Sequence, residues 1–161
     1  MLYSRPGNDI TKRFPAVAEA VAALPGGNLI LDGELVAFDE VNRPDFHMLR
    51  CRGPTTLAWL FDLMHLSDDD LRDLPWTQRR RRLERLMARN RSDALHLNEI
   101  WDDGEALLLA AAEQGLEGIV SKCRSSPYVS GETDARVKVK VSGWTESNRG
   151  GSSASRDDRG D

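Results

Sequence analysis

Apolar positions along residues 1–141 recur now at the helical period and now at the strand period, which predicts short strands alternating with amphipathic helices. Pro15 suits the first position of a helix running to about Leu24, with Val17, Ala20, Val21 and Leu24 on one face and Pro25-Gly26-Gly27 as its stop. From Thr77 to about Asn90, Leu83, Leu86 and Met87 form one stripe, and Arg79 to Arg82 fill the rest of the surface of a second helix. Asp102 followed by Glu105 predicts a capped helix through Glu113, and Gly115 occupies the position past its C-terminus.

Three segments alternate at period two. Over Leu29 to Phe38, the residues Leu29, Leu31, Gly33, Leu35 and Ala37 point one way, and Ile30, Asp32, Glu34, Val36 and Phe38 point the other. Leu57 to Leu63 places Trp59, Phe61 and Leu63 on one side and Leu60 and Asp62 opposite. Arg136 to Val141 is the cleanest alternation, with Arg136, Lys138 and Lys140 in one row and Val137, Val139 and Val141 in the other. Beyond Ser142 the chain turns to Gly, Ser and charge with Trp144 as its single large apolar residue, so a domain over 1–141 and a disordered tail over 142–161 are expected.

Composition narrows the class. With 161 residues, 40% apolar and 30% charged, one domain with one substantial core is the expectation. No apolar run is long enough to span a membrane and the start does not resemble a signal peptide, which predicts a cytoplasmic protein. Cys51 and Cys123 lie far apart without a neighbouring ligand, so reduced, partly buried thiols are expected rather than zinc or a disulfide. A net charge of −4 excludes a uniformly basic nucleic-acid binder but leaves room for a local basic groove.

The strand faces carry the candidate chemistry. Glu34 and Glu117 are candidates for a hard divalent cation such as Mg²⁺, which takes oxygen ligands, waters and substrate phosphates. Lys138 and Lys140, sharing a face, suit a polyphosphate, whose charge spreads over its oxygens during transfer. Phe61 beside Asp62 offers a stacking face for a base. Each feature has a plainer reading: Asp32 and Glu34 as a solvated strand face, Phe61 as core, and Lys138 and Lys140 as a charged edge strand. For the Arg79 to Arg82 run the preferred reading is the wet side of a helix, with DNA-backbone contact as the other. His47, His65 and His96 have no spacing that suggests a metal site or triad.

Five segments in order resemble the nucleotidyltransferase (adenylation) domain of ATP-dependent DNA ligases, most closely the bacterial end-joining type. They are Ser4-Arg5-Pro6-Gly7, Leu31-Asp32-Gly33-Glu34, Leu60-Phe61-Asp62-Leu63, Glu117-Gly118-Ile119-Val120-Ser121-Lys122 with Ser126-Pro127-Tyr128 after it, and Val137-Lys138-Val139-Lys140. The resemblance implies an α+β, ATP-grasp-like fold of antiparallel sheets and packed helices. It implies ATP and Mg²⁺ as cofactors, nicked or broken duplex DNA as partner, and strand sealing in repair or recombination as the family reaction. By position, Glu34 would meet the ribose or a metal, Phe61 would stack on adenine, Glu117 would hold the cation, and Lys138 and Lys140 would grip the α-phosphate. Arg5 would contact nucleotide or DNA. Arg136 stands where relatives often have tryptophan, and Pro6 where they often have asparagine.

In this family a lysine opening a Lys-x-Asp-Gly segment attacks the α-phosphate of ATP, and an oligonucleotide-binding barrel follows the domain. None of the four lysines, Lys12, Lys122, Lys138 and Lys140, opens such a segment, and nothing after Val141 resembles that barrel. The 161 residues are therefore read as a partial domain, expected not to self-adenylate as written, and marginally stable or associated with a complementing ligase or repair chain. A non-catalytic binding remnant, an upstream start, and an RNA ligase or capping-type enzyme are the alternative readings.

Overall fold

The structure, a computed structural model, describes residues 1–38, 49 and 56–144. His47, Cys51 and the part of the expected tail from 145 to 161 lie outside the described residues. A 3₁₀ turn, Thr11–Arg13, leads into helix α1, Pro15–Ala22, which begins with proline at its first position as the missing N–H there allows. Val17 and Ala20 of α1 and Leu24 after it are buried.

Strands β1, Leu29–Ala37, and β2, Thr56–Leu66, pair antiparallel. On the other edge of β2, the short β3, Asp69–Asp70, pairs antiparallel and β4, Leu95–Leu97, pairs parallel, a departure from the expected antiparallel pattern. Helix α2, Trp76–Met87, packs Leu83 and Leu86 onto this sheet, and a core of Phe14, Leu60, Leu63, Leu71 and Leu95 closes around them.

The strict alternation expected of β2 does not hold. Register shifts leave Phe61 and Met64 as extra residues opposite β1, so Leu60 and Leu63, three positions apart, both enter the core. A bulge inserts one residue without a partner, and every side chain beyond it changes phase. Expected facing apart, Leu60 and Leu63 face together, and Asp62 is opposite Asp32 rather than in line with Leu60.

Helix α3, Gly104–Glu113, starts one residue later than the capping pattern suggests. Asp103, in extended conformation, is the cap, its Oδ1 accepting from the N–H groups of Glu105 and Ala106 at 3.0 Å each, whereas Asp102 forms an ion pair with Arg124. Gly115 follows the helix with φ of 69°, as its position predicts. A second sheet holds β5, Gly118–Lys122, antiparallel to β6, Arg136–Lys140. Trp144 reaches back to this unit, its indole N–H donating to the Gly115 carbonyl at 3.3 Å. Among the described residues no helix is long and apolar enough to cross a membrane.

Candidate nucleotide site

Pairing of β5 with β6 sets Gly118 opposite Lys140, Val120 opposite Lys138 and Lys122 opposite Arg136, so the cations of β6 share one face as alternation predicts. Glu117, just ahead of β5, lies between two of them. Its Oε1 is 2.7 Å from Lys138 Nζ and 3.5 Å from Lys140 Nζ. The lysines are largely exposed while the glutamate side chain is only 20% accessible, so the carboxylate is the anchored partner. Gly118 makes the approach possible: a Cβ there would collide with the Val139 carbonyl oxygen and lie 2.8 Å from Lys140 Cα.

On the larger sheet, Phe61 is half-buried and stands outside the apolar core cluster. The Lys122 ammonium lies 5.3 Å from its ring centroid, within cation–π range. Beside it Asp62, 2% exposed, accepts two hydrogen bonds from Arg79, from Nε at 2.8 Å and from Nη2 at 2.9 Å. Arg79 Nη1 donates to the carbonyl oxygens of Leu74 and Ser126, and its guanidinium lies 5.8 Å from the Tyr128 ring. The Tyr128 hydroxyl donates to Asp32 at 3.4 Å. Asp62, Arg79, Lys122, Tyr128 and Arg136 line a cavity of about 30 Å³, room for roughly one water. This network joins the sheet that carries Phe61 to the sheet that carries Glu117 and the lysines.

Electrostatics follow from this packing. Burial pulls the Lys122 pKa below its ordinary 10.5, opposed by the charges of Asp62 and Asp32. Burial raises the Tyr128 pKa above 10.0, and Asp32 pushes it the same way.

The expected residues thus fall into two groups. Glu117, Lys138 and Lys140 come together; Glu34 is exposed on β1, opposite Trp59, and belongs to the other sheet. Arg5 is exposed in a turn closed by the Gly7 N–H donating to the Ser4 carbonyl at 2.8 Å. Among the described residues there is no group of three or more His, Cys, Asp or Glu side chains that could hold a metal. A Mg²⁺ ion needs only one or two carboxylates when substrate phosphates and waters complete its shell, so Glu117 fits as a single donor. Cys123 is exposed, not partly buried as expected. His65 and His96 make local bonds to the Ser67 and Asp93 carbonyls, and His96 stacks on Trp59.

Arg79 is the residue that sequence reasoning misses. A wet helix face is the expectation for Arg79 to Arg82, yet Arg79 is 2% and Arg80 5% exposed. The signal is present in the chain: Arg79, Leu83 and Leu86 are spaced by four and three, which puts the arginine on the buried stripe. An aspartate inside the apolar run of β2 needs such a partner.

A half-buried aromatic outside the core on one sheet, and a carboxylate between two lysines beside the other, suit a nucleotidyltransferase. The chain belongs to the ATP-dependent DNA ligase family, whose ATP dependent DNA ligase domain matches residues 1–140. The multifunctional non-homologous end joining protein LigD of Pseudomonas aeruginosa is 39% identical over 145 residues, covering 86% of this chain and 17% of that protein. A probable DNA ligase of Streptomyces coelicolor is 34% identical over 156 residues, covering 86% of this chain and 30% of that protein. Among solved structures, a mycobacterial DNA ligase D complexed with ATP and MES matches with a TM-score of 0.72 at 31% identity, over 86% of this chain and 46% of that one. The chain therefore spans less than a third of these curated relatives. Its fold is the α+β fold of their adenylation domain.

Proposed function

We propose that residues 1–141 are the nucleotide-handling part of a cytoplasmic ATP-dependent DNA ligase, with ATP and Mg²⁺ as ligands and nicked or broken duplex DNA as substrate. The observation that carries this reading is Glu117 held between Lys138 and Lys140. One carboxylate and two ammonium groups on adjoining strands suit a triphosphate with its cation. Lys138 and Lys140 bind and orient the α-phosphate, their charge opposing that which builds on the phosphoryl oxygens. Glu117, once phosphate draws its lysine partners away, would hold the divalent cation, whose charge would offset that of the phosphates.

Phe61 stacks on adenine, with Lys122 sharing or yielding the face of its ring. Glu34, exposed on β1, meets the ribose or the cation. Arg5 contacts nucleotide or DNA from its exposed turn. The 161 residues hold no Lys-x-Asp-Gly, so this polypeptide on its own binds ATP without accepting AMP covalently.

Calorimetric titration of residues 1–161 with ATP and Mg²⁺ is expected to give saturable binding, weakened at least tenfold in K138Q/K140Q. Incubation with α-labelled ATP followed by denaturing electrophoresis is expected to leave the protein unlabelled. Unchanged binding in the double variant would sink the site assignment, and a labelled band would sink the claim about the nucleophile.

A further inference from the structure

The exposed surface of α2 carries a row of arginines and one acid, Glu84. Outward on the helix are Gln78, Arg81, Arg82 and Arg85, and Ala88 and Arg89 continue the row into the turn that follows it; Arg82 is half-buried and the others are exposed. Glu84, the one acid in the helix, is bonded to the buried Arg80, Nε to Oε1, at 2.9 Å. Among the described residues no ion pair joins Arg81, Arg82, Arg85 or Arg89 to an acid. Elsewhere the exposed Arg72 pairs with Asp70 and Arg124 with Asp102, whereas exposed Arg5 and Arg91 have no ion pair among the described residues.

Folding gives no reason for this row. Like charges three and four residues apart oppose a helix, and a solvated helix face ordinarily mixes both signs. The C-terminal end of the macrodipole favours Arg85 and Arg89 but does nothing for Arg81 and Arg82. In a chain with 26 acids against 22 bases, the one acid on this helix, Glu84, is engaged by Arg80 rather than by the row.

We infer that this arginine row docks the phosphate backbone of duplex DNA, an inference that rests on the ligase reading above. From Arg81 to Arg89 the row covers about 12 Å, a length over which a duplex carries several phosphates, roughly one per 1.7 Å of its axis counting both strands. Guanidinium forks match phosphate oxygens in pairs, and backbone contacts of this kind carry no sequence preference. The row is on a different element from the lysines of β6, so one surface is assigned to the duplex and the other to the nucleotide.

The test is binding of residues 1–161 to a duplex carrying a 5′-phosphorylated nick, measured across a salt series. R81Q/R85Q is expected to weaken binding at least tenfold and to flatten the log–log salt slope by about 0.9 for each phosphate no longer neutralised. The control R72Q/R124Q removes the same charge from exposed, paired arginines and is expected to change affinity less than twofold. Glutamine is a good helix former, so circular dichroism and the thermal midpoint should stay in place. ATP binding is measured on the same samples. If ATP binds but the two double variants affect DNA equally or not at all, the docking surface is wrong while the ligase reading stands. If the parent protein binds neither ATP nor duplex, both fall.

Discussion

Asp62 and Arg79 form a bidentate ion pair, 2.8 and 2.9 Å across its two hydrogen bonds, with both side chains no more than 3% exposed. It bridges β2 to α2, and through the Ser126 carbonyl and the Tyr128 ring it reaches the segment that follows β5. A buried pair of this kind adds little over an apolar substitute, but leaving one partner alone strands a charge. Arg79→Met and Asp62→Leu should each cost about 3–5 kcal/mol in equilibrium urea unfolding. The double variant R79M/D62L should cost clearly less than their sum. Additive losses would mean that the two residues act independently.

That pair also marks where the sequence is legible and where it is not. The stripe of Leu83 and Leu86 tells the orientation of α2, and its spacing places Arg79 inward once charge is not treated as a mark of the surface. The faces of β2 cannot be read by alternation, because the extra residues at Phe61 and Met64 depend on the partner strand. Glu117, Lys138 and Lys140 are legible from their segments because adjoining strands bring them together without a long-range rearrangement. Lys122 on Phe61 is not, since it depends on how two separate sheets dock.

Two glycines should respond oppositely to alanine. A Cβ on Gly118 would collide with the Val139 carbonyl, so the strands must part where Lys140 faces it. Gly118→Ala should destabilise by about 1–3 kcal/mol and weaken ATP binding along with it. Gly104, at the start of α3, has nothing within 4 Å of the place a Cβ would take, so Gly104→Ala should stabilise by about 0.4–1 kcal/mol through the unfolded chain. Thermal denaturation of the two variants side by side reads both signs.

Glu117 holds Lys138 at 2.7 Å where a phosphate would otherwise draw the ammonium. Removing its charge should separate the two roles proposed for it. Glu117→Gln is expected to bind ATP several-fold more tightly than the parent when a chelator removes divalent cations, and to lose the gain that Mg²⁺ gives the parent. If the variant instead bound ATP worse without metal and kept the full response to Mg²⁺, neither the lysine exchange nor the cation role would survive.

Lys122 gives the fold a pH dependence of predictable sign. Burial lowers its pKa in the folded state from 10.5, with Asp62 and Asp32 opposing, so the unfolded chain binds the proton more tightly. Between the lowered value and 10.5 the unfolded state carries more protons, and stability therefore rises with pH across that window. The cost of the buried charge is fully present below the window and relieved above it. Tyr128 acts in the other direction: its pKa is raised above 10.0, so its contribution is lost as pH climbs through the folded value. Comparing the parent with Lys122→Met at each pH cancels the tyrosine. The methionine keeps apolar contact with Phe61 and carries no proton, so the variant should be the more stable at neutral pH, with an advantage that shrinks as pH approaches 10.5. Urea unfolding of both proteins over that range checks it, and a difference that stayed constant with pH would show that the Lys122 charge carries no burial cost.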